Sequence, residues 1–347
     1  HPMYPDFLPK PKIKRAVKGQ PYEEVDDFNL KTRPFMDEKI ADKTIDFIHR
    51  KHAEGSPFYA YVGFTNTHPP MIPHPDFKDA TDSPHPGPKN MAELDYRAGQ
   101  ILDTLDELGI ADDTIVVWAS DNGSGATKGE SFGSGGFWKG CFGGGWEGSY
   151  RTPAMVRWPG KIPAGTVSNE IVAHQDWLPT LLAAAGEPDI KEKLKAGMAV
   201  GDKTFKVHID GYDFLPHFTG ESEEGPRPGF IYFSDDGDLV AVRYDNWKLV
   251  FAEQRMQGTV QIWAEPFVFL RFPKMFNLRT DPFERADITS NTYWDWVIDR
   301  VYLVYAGQSI VAKFLATFKE FPPRMKAASF SIDQVMAKME EALTSKP

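Results

Sequence analysis

The chain has 347 residues, with 39 Lys and Arg against 49 Asp and Glu, a net charge of −10. That balance excludes a general attraction for nucleic acid or anionic lipid, so no nucleic-acid partner is expected. A single cysteine, Cys141, excludes an intrachain disulfide and any multi-cysteine metal cluster. In chain order, His1–Pro21 is rich in Pro and Lys and reads as an extended lead-in. Asp37–His52 is expected as a helix with Ile40, Ile45, Phe47 and Ile48 on its apolar face and acidic residues at its N-terminus. Phe58–Phe64 is a short aromatic run, expected as a strand buried on both faces. A proline-laden loop follows, from Thr65 to Pro88.

Met91–Leu108 carries apolar residues at three- and four-residue steps and predicts a helix closed by Gly109. Thr114–Ala119 predicts a second buried strand. Strand, loop, helix and strand in that order imply a βαβ unit and a parallel sheet. Beyond a glycine-dense loop, Pro153–Trp158 reads as a strand and Trp177–Ala185 as a helix. After about Gly220 the texture changes. Phe230–Phe233, Leu239–Tyr244 and Trp247–Phe251 read as an antiparallel meander with tight turns. Trp294–Phe318 and Ser331–Leu343 read as amphipathic helices, whose aromatic residues are expected in packing. No stretch of 18 or more apolar residues is present to span a bilayer.

In parallel sheets, ligands bind beyond the C-terminal ends of strands. Three places qualify. Ser120-Asp121-Asn122-Gly123 follows the second strand and offers hard oxygen donors suited to Ca²⁺ or Mg²⁺. Read locally, the same residues suit a turn leaving a strand better than a metal site. Thr65-Asn66-Thr67-His68-Pro69-Pro70 follows the first strand. There His68 is a candidate donor to an anionic oxygen or a general acid, against the alternative of a loop histidine satisfied by backbone. His74 and His85 lie in the same loop without a strand end to present them. The third place is Trp138–Pro153, where Lys139 and Arg151 stand close to backbone that glycines make approachable, an arrangement that suits an anion or a plain surface loop. Cys141 has no adjacent base and reads as a small loop residue. No Walker A loop, dinucleotide fingerprint, nucleophile elbow or His-Glu-x-x-His is present.

Taken together, these places resemble the sulfatase family, the arylsulfatase-like branch of the alkaline phosphatase superfamily. Four stretches carry the resemblance: Pro57–Phe77 with its strand and His loop, Met91–Gly123 with its helix, strand and Asp-Asn pair, Trp146–Gly165 with Glu147-Gly148-x-x-Arg151-x-Pro153, and Met275–Ile288 with Asn277-Leu278-x-x-Asp281-Pro282-x-Glu284. The resemblance implies an α/β, alkaline-phosphatase-like sandwich. Its mostly parallel central sheet would be flanked by helices and followed by a small C-terminal subdomain of antiparallel sheet and helices. On that reading residues 1–36 are a lead-in, 37–225 an α/β core incomplete at its N-terminus, and 226–347 the C-terminal subdomain. It also implies hydrolysis of sulfate monoesters, aryl or carbohydrate, by a formylglycine nucleophile beside Ca²⁺ or Mg²⁺. Asp121 and Asn122 would be metal ligands, and His68 would contact the sulfate or protonate the leaving oxygen.

Two departures shape the expectation. The family's Cys/Ser-x-Pro-x-Arg nucleophile motif is absent, because Cys141 is followed by Phe142, Gly143 and Gly144. The paired Asp-Asp metal site that precedes it in the family is absent too. An N-terminal segment of the same protein, ahead of His1, is therefore the expected partner, and the chain reads as a cut or separate C-terminal piece. The family lysine, five residues before the Glu, falls on Phe142, and Lys139 is the substitute catalytic cation. The expected ligand is a sulfated small molecule or glycan, and the expected location is periplasmic or extracellular by family habit. Alternatives are a phosphate or phosphonate monoester hydrolase of the same superfamily, and a non-catalytic relative that binds sulfated glycans or a partner.

Overall fold

The computed structural model describes residues 10–125, 136–255 and 261–323. It divides into two compact units. The first holds described residues 10–117 and 156–159, and the second holds the remainder. The expected helix at Ser331–Leu343 lies outside the described residues.

The first unit opens with a hairpin, β1 (Lys12–Arg15) against β2 (Glu23–Asp27), where a plain extended lead-in was expected. The reason is cross-strand charge. Lys12 faces Asp27 and Arg15 faces Glu23 in the register, and both pairs close as ion pairs, at 2.5 and 3.2 Å. Helix α1 (Met36–Ala53) buries Asp37, Ala41 and Ile48 and stops at Gly55, whose φ of +62° favours a residue without Cβ. Helix α2 (Pro86–Glu107) starts five residues before the expected Met91, with Pro86 at its first position, where the missing N–H costs nothing. The two helices pack on each other. Phe58–Phe64, expected as a buried strand, belongs to no sheet among the described residues. Tyr59 and Tyr61 are 71% and 86% exposed, while Phe58 packs edge-on against Phe47 of α1. A run that is apolar on both faces needs neighbours on both, and here α1 supplies one.

Strand β3 (Val116–Ala119) realises the second expected strand, and it pairs with β4 (Ala154–Arg157) after the four-residue helix α3 (Glu147–Tyr150). In the second unit, α4 (Trp177–Ala184) and α5 (Ile190–Ala196) precede a small hairpin of β5 (Met198–Val200) and β6 (Lys203–Phe205), then α6 (Leu215–Phe218).

The expected meander is present as β7 (Gly229–Phe233), β8 (Leu239–Tyr244), β9 (Trp247–Gln254) and, after α7 (Gln261–Ala264), β10 (Phe267–Asn277). The order is β10-β9-β8-β7, antiparallel throughout. Its register sorts the two faces. Ala241 opposes Val250 and Arg243 opposes Lys248 on one face, while Val242 opposes Leu249 on the other. The first face packs on Trp146, Phe276 and Leu278. The second packs on Met275, Tyr293 and Val297 of α9 (Tyr293–Ile298), which follows α8 (Ala286–Thr289), and on Val304 of α10 (Tyr302–Glu320). The helix expected over Trp294–Phe318 is thus two helices. Its aromatic residues divide: Tyr293 is buried and Trp296 stacks on Trp247, but Tyr302 and Tyr305 face outward.

Candidate active site

The His68 loop is held from below by a buried ion pair in the first unit. Arg33 and Asp37 sit one helical turn apart, 3.3 Å between charged atoms. Arg33 donates to Thr65 Oγ1 (2.6 Å), to Thr65 O and to His68 O (3.3 Å). Asp37 accepts from the Thr65 N–H and from its hydroxyl, at 2.7 Å for the latter. Thr67 takes a left-handed φ of +68°, a conformation that such anchoring must maintain. The result presents His68 to solvent with Nδ1 2.7 Å from Pro69 O. A carbonyl only accepts, so Nδ1 carries the proton and Nε2 is left for a ligand. His74 is used otherwise. It is buried, its N–H donates to Glu93 and its ring accepts from the Asp76 N–H.

In the second unit, Asp121 and Asn122 form an exposed turn directly beyond β3. Asp121 Oδ1 accepts the Asn122 N–H at 2.9 Å, and Asn122 Nδ2 donates to Gly123 O at 2.9 Å. That leaves Asp121 Oδ2 and the Asn122 amide oxygen without hydrogen-bond partners among the described residues. Two neighbouring hard oxygens free of donors fit part of a Ca²⁺ or Mg²⁺ shell. No cluster of three or more His, Cys, Asp or Glu suited to a metal occurs among the described residues.

The turn is pinned at several points. The Ser120 N–H donates to Pro153 O (3.3 Å), the Gly123 N–H to Ser149 O (2.9 Å), and His174 Nε2 to Ser120 O (2.9 Å). His174 escapes a sequence reading because it lies 54 residues away and in no motif. Gly123 is required by space: a Cβ there would stand 1.9 Å from Gly148 O. Gly123→Ala is therefore expected to lower stability by about 1–3 kcal/mol or more. Gly99→Ala, in the middle of α2 with open space around it, is expected to raise stability by about 0.5–1 kcal/mol. Thermal unfolding of the two variants reads opposite signs, and equal shifts would contradict the close approach at Gly123.

Lys139, the expected catalytic cation, is occupied. Its Nζ donates to Glu284 O at 2.9 Å and lies 3.3 Å from the centre of the Trp146 ring. Burial lowers its pKa, partly offset by Asp287 and Glu284. Cys141 is buried, and burial raises its thiol pKa, the opposite of what an activated thiolate needs.

Behind this loop lies a charge cluster that sequence reasoning missed. Glu147 is buried, and Oε1 accepts from Tyr232 OH (2.5 Å) and Lys248 Nζ (3.1 Å). Oε2 accepts from Arg151 Nε (2.7 Å) and Arg243 Nη1 (3.2 Å). Lys248, also fully buried, stands 2.8 Å from Glu284 Oε1 in an ion pair without hydrogen-bond geometry. Glu284 accepts the Glu147 N–H at 2.8 Å. Burial alone would raise the Glu147 pKa, but Lys248, Arg243, Tyr232 and Arg151 outweigh it and hold the carboxyl at about 2. Glu284 is raised, by burial and then by the charge of Glu147, against the pull of Lys248.

The sulfatase family model matches residues 6–187, just over half of the chain. The chain belongs to the sulfatase family. It is 29% identical to the steryl-sulfatase of Mus musculus over 289 residues, covering 76% of this chain and 43% of that protein. It is 30% identical to the N-acetylgalactosamine-6-sulfatase of Canis lupus familiaris over 307 residues, covering 82% of this chain and 54% of that protein. The chain therefore spans about half the length of the curated relatives it matches, or somewhat less. Among solved structures, a sulfatase from Pseudoalteromonas sp. superposes with a TM-score of 0.74 at 24% identity, covering 90% of this chain and 59% of that one. This likeness gives the fold as the sulfatases' alkaline-phosphatase-like α/β fold, to which the four-stranded antiparallel sheet is the C-terminal addition. Among the described residues, no helix is long and apolar enough to cross a membrane.

Proposed function

We propose that this sulfatase-family chain is part of a sulfate monoester hydrolase acting on aryl or carbohydrate sulfates. The observation that carries the reading is the exposed Asp121-Asn122 turn at the end of β3, with two oxygens that have no hydrogen-bond partner among the described residues. In the proposal the central sheet is mostly parallel and is completed by polypeptide N-terminal to this sequence. That segment also carries the formylglycine and the remaining metal ligands. Asp121 and Asn122 hold one side of a Ca²⁺ or Mg²⁺ ion. When bound, the ion supplies positive charge to the sulfate oxygens, and the formylglycine supplies the attacking oxygen. The residues of this chain do the rest. With its Nδ1–H donated to Pro69 O, the His68 ring would serve the leaving oxygen from Nε2, giving up the proton carried there. Arg33 and Asp37 fix the loop that aims it. Lys139 acts at one remove: its contacts with Trp146 and Glu284 O hold the glycine loop, so it is a positioning residue. The proposed partner is a sulfated small molecule or glycan, and the proposed location is the periplasm or the extracellular space.

Two assays of the complete protein test this reading. A chromogenic aryl sulfate should be turned over in preference to its phosphate twin, and turnover of the phosphate alone would replace a sulfatase by a phosphatase. His68→Ala should slow aryl sulfates with poor leaving groups on the order of 10²–10⁴-fold and good leaving groups far less. Equal losses across the series would reduce His68 to a sulfate contact.

A further inference from the structure

The second unit contains a cavity of about 470 Å³ that none of the proposed catalytic residues lines. Arg151, Arg243 and Arg279 face it, with Asn169, Glu170 and Asp245 among its other walls. Three arginines lining one open cavity are a concentration of planar donors suited to an oxyanion, although the Arg151 guanidinium also stacks 3.8 Å from the centre of the Trp138 ring. Of the two carboxylates in the lining, Asp245 accepts from Asn246 Nδ2 at 3.2 Å. Arg151 and Arg243 each spend one or two donors, on Glu147 and on Asp245 O, and keep the rest. The Arg279 side chain has no partner among the described residues.

Segments that line the cavity are linked to the Asp121-Asn122 turn through backbone hydrogen bonds. Arg151 lies in the 149–153 segment, which bonds Gly123 through Ser149 O and Ser120 through Pro153 O. Asn169 and Glu170 lie just before His174, which bonds Ser120 O. Both walls of the cavity are thus tied to the same short turn.

We propose that this cavity is a second anion subsite. It receives a sulfate or carboxylate on a neighbouring sugar of the ligand whose scissile sulfate lies at the Asp121-Asn122 turn. The substrate class is then a glycan carrying more than one anionic group. The inference rests on the sulfate-ester reading for the first site, but the guanidinium cluster is tested by binding alone.

The test titrates the protein by calorimetry with a trisulfated uronate-containing disaccharide and with its unsulfated counterpart. Arg279→Gln is the informative variant, since it leaves the Glu147 contacts intact, and Arg285→Gln is an exposed control outside the cavity. Arg279→Gln is expected to weaken binding of the trisulfated sugar at least tenfold, Arg279→Lys less, and Arg285→Gln within twofold of wild type. If the unsulfated uronate shows the same Arg279 dependence, the subsite takes a carboxylate; if it does not, the subsite takes a sulfate. No binding by the wild type, or no loss in Arg279→Gln, overturns the subsite. Loss of binding in Arg279→Gln, when the complete protein hydrolyses no sulfate ester, would instead overturn the catalytic reading and leave the subsite standing.

Discussion

Replacing Lys248 by methionine is expected to unfold the second unit or bring it close to unfolding, with a loss on the order of 3–5 kcal/mol in chemical denaturation. The aliphatic volume is nearly kept, so the effect is electrostatic. Lys248 is fully buried between Glu147 and Glu284. Without it, two carboxylates share one dry space and only Glu147 retains its arginines. The double change Lys248→Met with Glu284→Gln should recover much of the loss, because it removes the unpaired charge along with its partner. A single variant as stable as wild type would mean that the cluster is solvated. The same cluster sets a pH dependence. Glu147 has its carboxyl at about 2, below the ordinary 4.5 of the unfolded chain. Its stabilisation is therefore complete above about 4.5 and is lost as pH falls toward 2, on the order of 3 kcal/mol in all. Glu284, raised instead, acts oppositely, and its protonation relieves part of the strain as pH falls. Glu147→Gln should lower stability at neutral pH and flatten the fall between about pH 4.5 and 2.

Asp121→Ala and Asn122→Ala are each expected to abolish ion-dependent turnover in the complete protein and to leave the melting temperature within a few degrees of wild type. The turn owes its place to backbone bonds from Ser120 and Gly123 and to His174. Asp121 adds one local bond to the Asn122 N–H, and Asn122 one to Gly123 O. Exposed side chains with so few structural duties are cheap to truncate. His174→Ala supplies the contrast. It removes the donor to Ser120 O and should reduce activity through misplacement of the turn, with a measurable loss of stability as well. A collapse of the fold in Asp121→Ala would assign the pair to structure.

What the sequence made legible follows from the range of the interactions. Helices α1 and α2 are visible because their apolar periodicity is local, and the meander is visible because short β-branched and aromatic runs alternate with tight turns. The hairpin of β1 and β2 was missed because its signal is charge pairing between Lys12 and Asp27 and between Arg15 and Glu23, with no apolar alternation. The strand at Phe58–Phe64 was read from apolar content, but a strand also needs a hydrogen-bonding neighbour. Asp121 and Asn122 were ambiguous as a local sequence and became candidates through the family resemblance. Glu147 was noticed only as part of a motif. Its partners Tyr232, Arg243 and Lys248 lie 85, 96 and 101 residues away, and no periodicity links them. Lys139 looks in the sequence like a catalytic cation because a sequence does not show that Trp146 and Glu284 O surround it.

The most direct test of the central claim is the hydrolysis of an aryl sulfate by the complete protein after chelation and re-addition of Ca²⁺ or Mg²⁺. Wild type and Asp121→Ala should be compared side by side. The account predicts that wild type loses activity on chelation and regains it with the ion, while Asp121→Ala stays inactive at every ion concentration with its fold intact. Activity in Asp121→Ala that matches wild type and follows the ion in the same way would contradict it.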